Sequence, residues 1–198
     1  IYEKAVVNGR NDYRVRGKRG SVHYISMTTS KGSYAENFKQ TETGFVDSNE
    51  LVVDADGRFE IILSATPKPG NWLPMDVDSQ SLLIRQTFLD RATEVPAEFV
   101  VERLDTGVAP LPLTAQKLDA GLRTAGTFVE NTARMFADWS ASWLDKPNQL
   151  PPANQELCQS VGGDPNIFYY HGFFDLADDE ALVVEVARIP DCRSWNLQ

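Results

Sequence analysis

The sequence predicts a β-rich α+β protein: an antiparallel, jelly-roll-like β-sandwich, a helical segment, and the start of a second β-sandwich. Residues 13–104 break into short runs rich in β-branched and aromatic residues, separated by Gly, Pro and Asp. That is the pattern of antiparallel sheets rather than of βαβ units. From Leu118 to Trp143 the apolar residues recur at spacings of three and four, the period of a helix. Beyond Pro151 and Pro152 short β-like runs resume. The expected division is a sandwich over 1–111, a helical segment over 112–150 and a partial second sandwich over 151–198.

Tyr13–Arg16 and Ser21–Thr29 flank Gly17-Lys18-Arg19-Gly20 and read as one β-hairpin. A second hairpin is expected where Leu51-Val52-Val53 and Arg58–Leu63 enclose Asp54-Ala55-Asp56-Gly57. Gly57 supplies the positive φ that such a turn needs. Ser81–Leu89 and Glu98–Leu104 are further strands. Pro110 and Pro112 close the β region, and Thr114 is placed to cap a helix. Leu118, Leu122, Ala125, Val129, Thr132, Phe136, Trp139 and Trp143 then share one helical face, which is expected to be buried. Gly121 and Gly126 each cost a helix about 1 kcal/mol relative to Ala, which leaves open a break into two helices near Gly126.

Pro147, Pro151 and Pro152 end the helical region, and Gly162-Gly163-Asp164-Pro165 reads as a turn. Ile167–Phe174 and Ala181–Ile189 then read as a hairpin around the acidic loop Asp175 to Glu180. The chain opens at Ile1 and stops at the strand-like Trp195-Asn196-Leu197-Gln198. A longer natural polypeptide is therefore expected, and so is association of this chain on its own.

Of the 198 residues, 42% are apolar and 24% charged, an ordinary globular composition. No run approaches the roughly 18 apolar residues of a membrane span. The net charge of −9 argues against nucleic acid or an anionic membrane as the main partner. Residues 1–31 nevertheless carry seven Lys/Arg against two acidic residues, while the remainder carries twelve against twenty-six. The basic stretch Arg14-Val15-Arg16-Gly17-Lys18-Arg19-Gly20 reads either as an anion-binding loop or as a strand and turn with solvated charges. Cys158 and Cys192 form no CxxC, and two His give no zinc signature. The cysteines read as two free thiols, or as a disulfide if the protein is secreted; a soluble, cytoplasmic setting is expected ahead of secretion.

Several segments resemble the domain of unknown function 1214 family. They are Gly70-Asn71-Trp72-Leu73-Pro74, Arg85-Gln86-Thr87-Phe88-Leu89-Asp90, Asp164-Pro165-Asn166 followed by Tyr169-Tyr170-His171-Gly172, Asp179-Glu180-Ala181-Leu182, and Trp195-Asn196. The resemblance runs from Tyr13-Arg14-Val15-Arg16-Gly17 onward. It implies two jelly-roll-like sandwiches joined by a helical bundle, with this chain a fragment of a longer member, and it supplies no reaction.

The common catalytic signatures GxSxG, Walker A, HExxH and GxGxxG are absent. His171, near Asp164 and Asp175 in sequence, reads as a general base or metal ligand, or else as a packing residue. His23 reads in the same functional way, or else as a residue that faces water. Asp175, Asp178, Asp179 and Glu180 read as cation ligands or as a solvated loop. Asn71 and Trp72 pair a forked amide with a flat apolar face, which suits a sugar or planar ligand, or else they close the sandwich end. Arg85, in an apolar strand, requires a partner: Asp90 or Glu102 in an ion pair, or a substrate anion. Asp164 and Tyr170 complete the candidate ligand-binding set. Trp139 and Trp143 read as core or as a stacking pair.

The sequence therefore points to a ligand-binding or assembly protein, with a small-molecule ligand, homo-oligomerisation and no recognisable catalytic motif. The alternative is an enzyme on a small organic substrate that uses His171 as base or ligand and Arg85 as anion anchor.

Overall fold

The computed structural model describes residues 1–36, 38–105 and 112–197. The expected closure at Pro110, the boundary at 111 and the terminal Gln198 lie outside the described residues. The elements follow in the order β1 (Tyr2–Val6), β2 (Tyr13–Lys18), β3 (Tyr24–Lys31), β4 (Thr41–Asp47), β5 (Arg58–Ser64), β6 (Trp72–Pro74), β7 (Ser81–Thr87), β8 (Glu98–Arg103), α1 (Ala115–Ala141) and α2 (Gln155–Ser160). The strands form two four-stranded sheets. Sheet A has the order β1-β7-β3-β4 and is antiparallel throughout. Sheet B has the order β6-β5-β2-β8 and is antiparallel except where β6 lies parallel to β5.

Period-two alternation decides which face each strand buries. Val15 of β2, Ile61 and Leu63 of β5 and Leu73 of β6 turn inward from sheet B. They meet Ile25 and Met27 of β3, Val46 of β4, and Leu82 and Ile84 of β7. Each such side chain contributes about 1.5–3 kcal/mol on burial. The sheets approach closely at one corner, where Thr29 Oγ1 donates to the Pro74 carbonyl at 2.6 Å. Gly44 is required there, because a Cβ would stand 2.1 Å from that same carbonyl oxygen.

The two hairpins expected within residues 13–63 are absent, for separate reasons. β2 pairs with β5 and β8 while β3 pairs with β4 and β7, so residues 19–23 carry the chain from one sheet to the other. The Asp54–Gly57 turn does form, with Gly57 at φ +75° and its N–H donating to the Asp54 carbonyl. Leu51–Val53 before it are not a strand. The Asn71 side chain takes both backbone groups of Val52, donating to its carbonyl (2.8 Å) and accepting from its N–H (2.9 Å).

α1 is one uninterrupted helix through Gly121 and Gly126, capped by Thr114, whose hydroxyl accepts from Lys117 N–H. Its apolar face is not buried: Leu122 and Val129 are about two-thirds exposed, Leu118 and Phe136 about half, and none of the 27 residues is buried. Amphipathic spacing predicts a buried face only where something lies against it, and among the described residues ring stacking and hydrogen bonds tie α1 to the rest of the chain at two places. Phe128 stacks on Tyr34, with Asn131 donating to the Tyr34 carbonyl. Trp139, with Trp143 just beyond the helix, packs on His171. The strands expected at 167–174 and 181–189 do not pair with each other. Phe173 and Tyr170 form single bridges to Pro147 and Pro152, and residues 181–197 find no ladder partner among the described residues. A strand without one cannot satisfy its backbone groups as a strand.

Ile61→Ala is expected to cost about 2–5 kcal/mol in chemical denaturation. Leu122→Ala is expected to stay within about 0.5 kcal/mol.

Candidate functional site

β3 places Tyr24, Ser26, Thr28 and Ser30 on the face of sheet A that points away from the core, and their register partners join them there. From β7 these are Ser81, Leu83 and Arg85, and from β4 they are Glu42, Phe45 and Asp47. Such a polar face normally meets water. Here Ser26, Thr28, Ser30, Ser81, Arg85 and Asp47 are buried, because residues 154–166 lie across them.

The covering segment is fixed at the end of α2. The carbonyls of Ser160, Val161 and Gly162 accept in turn from Gln40 N–H (2.9 Å), the Tyr34 hydroxyl and the Arg85 guanidinium. The last carbonyls of a helix have no partner within it and carry its partial negative charge. Arg85 supplies a cation at that point and also donates to Thr28 Oγ1 at 3.1 Å. It makes no ion pair among the described residues. Both carboxylates expected to pair with it are engaged elsewhere: Asp90 binds Ala92 and Thr93, and Glu102 binds Arg14 and Arg16 on sheet B.

Asp164, fully buried, is the second anchor. Its carboxylate accepts from Ser26 Oγ at 2.6 Å and from the Asn166 N–H at 2.9 Å, and the Tyr24 hydroxyl stands 3.5 Å away. Its own N–H donates to the Tyr169 hydroxyl. Asn166 continues the network to Asp47. Burial, with the Asp164 and Asp47 charges adding to it, pushes the Tyr24 phenol up to about 12, so it stays a donor. Burial also raises the Tyr169 and Tyr34 phenols. Glu42 is raised first by burial and then by Asp164, with Arg85 opposing. The cavity among Thr28, Gln40, Glu42, Arg85 and Gln159 is about 10 Å³. That is the size of a single water and excludes an organic ligand in this arrangement.

His171 stands apart from these carboxylates. Its ring lies 4.9 Å from Trp143, 5.2 Å from Trp139 and 6.1 Å from Tyr169 between centroids. Its Nδ1 is buried without a hydrogen-bond partner, and burial lowers its pKa. Neither Asp164 nor Asp175 approaches it as a hydrogen-bond partner, so no dyad forms among the described residues. Asn71 spends its whole amide on Val52 and the Glu60 carbonyl. Trp72 Nε1 donates to the Ser64 carbonyl at 3.1 Å. Tyr170 is half exposed beside Phe168. The fold thus brings Arg85 and Asp164 together on sheet A, puts Asn71 and Trp72 at the β6 edge of sheet B, and leaves Tyr170 outside both groups. Among the described residues no three His, Cys, Asp or Glu side chains are placed to hold a metal ion. Cys158 is buried and Cys192 exposed, both free.

Sequence reasoning missed Tyr24, Ser26, Thr28, Glu42 and Tyr169. The only available signal was the polar alternation of β3, which reads as a solvent face until the covering segment is seen.

No family model matches this chain, and no curated protein does. A solved structure of an uncharacterised protein from Burkholderia cenocepacia is 52% identical over 90% of this chain, with a TM-score of 0.87. The match covers 50% of that protein, so this chain spans about half its length. A solved protein of Vibrio parahaemolyticus matches half of this chain at 19% identity and a TM-score of 0.36.

Removing Arg85 should release the end of α2 while the sandwich stays folded. In Arg85→Met, amide exchange over residues 158–163 is expected to accelerate, with β3 and β7 amides still protected. Arg85→Lys should not restore protection, because one ammonium cannot replace the planar fork that reaches both Thr28 and Gly162. His171, held below its ordinary 6.5, is neutral in the fold when the unfolded chain already binds a proton. Its contribution therefore lowers stability as pH falls below about 6.5 and levels off below the folded pKa. His171→Phe should flatten that part of the stability profile, as read from denaturant midpoints.

Proposed function

We propose that this chain is a non-catalytic assembly module of the domain of unknown function 1214 family, its sandwich presenting an apolar surface built by residues 113–197. The observation that carries this is a 27-residue helix with no buried residue. Leu122, Val129 and Phe136 on it share their exposure with Phe168, Val183, Val184, Val186, Ile189 and Trp195 farther along. Exposed apolar area on this scale marks an interaction surface. An isolated helix, by contrast, draws little stability from its own hydrogen bonds.

The occupant is further polypeptide of the same protein. The Burkholderia cenocepacia relative carries about as much chain again as the matched region, which supports this reading. In it, residues 151–198 belong to a second β unit, and the strand-like 181–189 gains its ladder from that additional chain. Arg85 and Asp164 are then the residues that key the second region onto sheet A. His171 is the packing contact that orients α1, and neither His171 nor Arg85 turns over a substrate.

Light scattering on the isolated 198-residue chain is expected to show concentration-dependent association. Replacing Leu122, Val129 and Phe136 together by Gln should reduce it. A polypeptide with the relative's full length should be monodisperse. A sharp, monomeric, cooperatively melting 198-residue chain would overturn the reading.

A further inference from the structure

We propose that β8 is a dimerisation strand: the open edge of sheet B pairs antiparallel with β8 of a second copy of this chain, across a twofold axis. The two sheets have four edge strands, and three of them carry a feature that blocks strand addition. β6 is three residues long and ends in Pro74. β4 lies against β6 and α2, and its ladder with β3 is interrupted by a register shift at Thr29–Ser30. On β1, the Ile1 carbonyl and the Val7 N–H bond toward β7, which turns the backbone groups of Tyr2, Lys4 and Val6 outward. Two copies of β1 in symmetric register would set Lys4 against Lys4, and like charges directly opposite destabilise a pair.

β8 has none of these devices. It contains no Pro, Gly or Lys, and among the described strands it pairs with β2 alone. Leu104 N–H donates to the Asp12 carbonyl. In this register the even-numbered residues therefore bond to β2, while Phe99, Val101 and Arg103 turn their N–H and C=O groups outward. The open edge has a defined start. The Gln86 side chain takes both backbone groups of Ala97, donating to its carbonyl (3.2 Å) and accepting from its N–H (2.7 Å). Charges on the strand are answered within the chain itself: Arg14 and Arg16 hold Glu102, Asp105 holds Arg103, and Glu98 stands in register opposite Lys18.

The pattern fits a second copy. Only the outward-facing residues can form hydrogen-bonded pairs across the edge, and the symmetric register that uses all of them sets Val101 opposite Val101 and Phe99 opposite Arg103. Each Phe99 ring then meets a guanidinium. The same register sets Val100, 56% exposed, opposite Glu102, and Glu98 opposite Leu104, so no like charges meet directly. The two Glu102 carboxylates, diagonal across the axis, each keep the arginines of their own chain. β8 is thus self-complementary where β1 is not. The proposal does not rest on the assembly reading: among the described residues, the hydrogen bonds and ring contacts of residues 113–197 do not reach β8.

Sedimentation velocity on the chain carrying Leu122→Gln, Val129→Gln and Phe136→Gln, which thins the other apolar surface, is expected to show a dimer. Val101→Pro in that background should give a monomer, because it removes an N–H that only the second copy uses, and an edge strand tolerates Pro there. A cooperative melt shows that this variant is folded, and cross-linking tests the same register in chains whose ladder is intact. With Cys192→Ser in place, Val101→Cys is expected to oxidise to an intermolecular disulfide, since a hydrogen-bonded antiparallel pair sets its Cα atoms about 5.5 Å apart. Val100→Cys, which faces residue 102 of the other copy, should stay a thiol. A monomer at every concentration in the Gln background, a dimer that survives in a folded Val101→Pro chain, or cross-linking of Val100→Cys as readily as of Val101→Cys would each overturn the proposal. Association that the Gln replacements leave intact and Val101→Pro abolishes would uphold β8 pairing and count against the assembly reading instead.

Discussion

The central strands of sheet A, β3 and β7, are buried on both faces, and the two burials obey different physics. Toward sheet B, Ile25, Met27, Leu82 and Ile84 meet an apolar layer, where shape and area suffice. Away from it, Ser26, Thr28, Ser30 and Arg85 are shut off from water by residues 154–166. There every polar group needs a matching partner, since a buried donor or acceptor left unsatisfied costs about 1–3 kcal/mol. The C-terminal carbonyls of α2, the Asp164 carboxylate and the Asn166 amide meet that demand. The second half of the chain is thereby held in one register rather than in many.

This layer also accounts for the placement of α1. Tyr34 serves twice, its hydroxyl donating to the Val161 carbonyl and its ring stacking on Phe128 at 5.7 Å. Farther along, Tyr169 accepts from Asp164 N–H and lies beside His171, which packs on Trp139 and Trp143. The helix is thus tied to the sandwich through residues whose own positions depend on the polar layer. Between and beyond those ties its apolar stripe stays open.

Sheet B shows the contrasting case of an outer face that is not covered. Its charges are spread over β2, β5 and β8, and most are neutralised across strands, as in the Arg14–Glu102–Arg16 group. Those pairs are about one-third to half exposed and worth little to stability individually. Lys18 stands in register between Arg58 of β5 and Glu98 of β8, so a like and an opposite charge flank it there.

The sequence by itself determined the class of each long segment. Period-two runs at 58–64, 81–87 and 98–103 became strands, the three-and-four spacing from Leu118 became α1, and Thr114 and Gly57 took the cap and turn positions that their chemistry suits. These features are local, fixed by steric preference and by hydrogen bonds over a few residues. Only the tertiary structure decided which strands pair. Residues 13–29 look like a hairpin because they sit side by side in sequence, yet β2 pairs 40 to 90 positions away with β5 and β8, and β3 pairs with β4 and β7 in the other sheet. It also decided the sense of burial. The polar alternation of β3 marks a solvent face and α1's stripe a core face, and each came out the other way, because burial is a property of what lies against a surface and not of the surface alone. Arg85 shows the same limit: its need for a partner was legible in an apolar strand. That the partner is the end of a helix more than seventy residues later could be settled only by the fold.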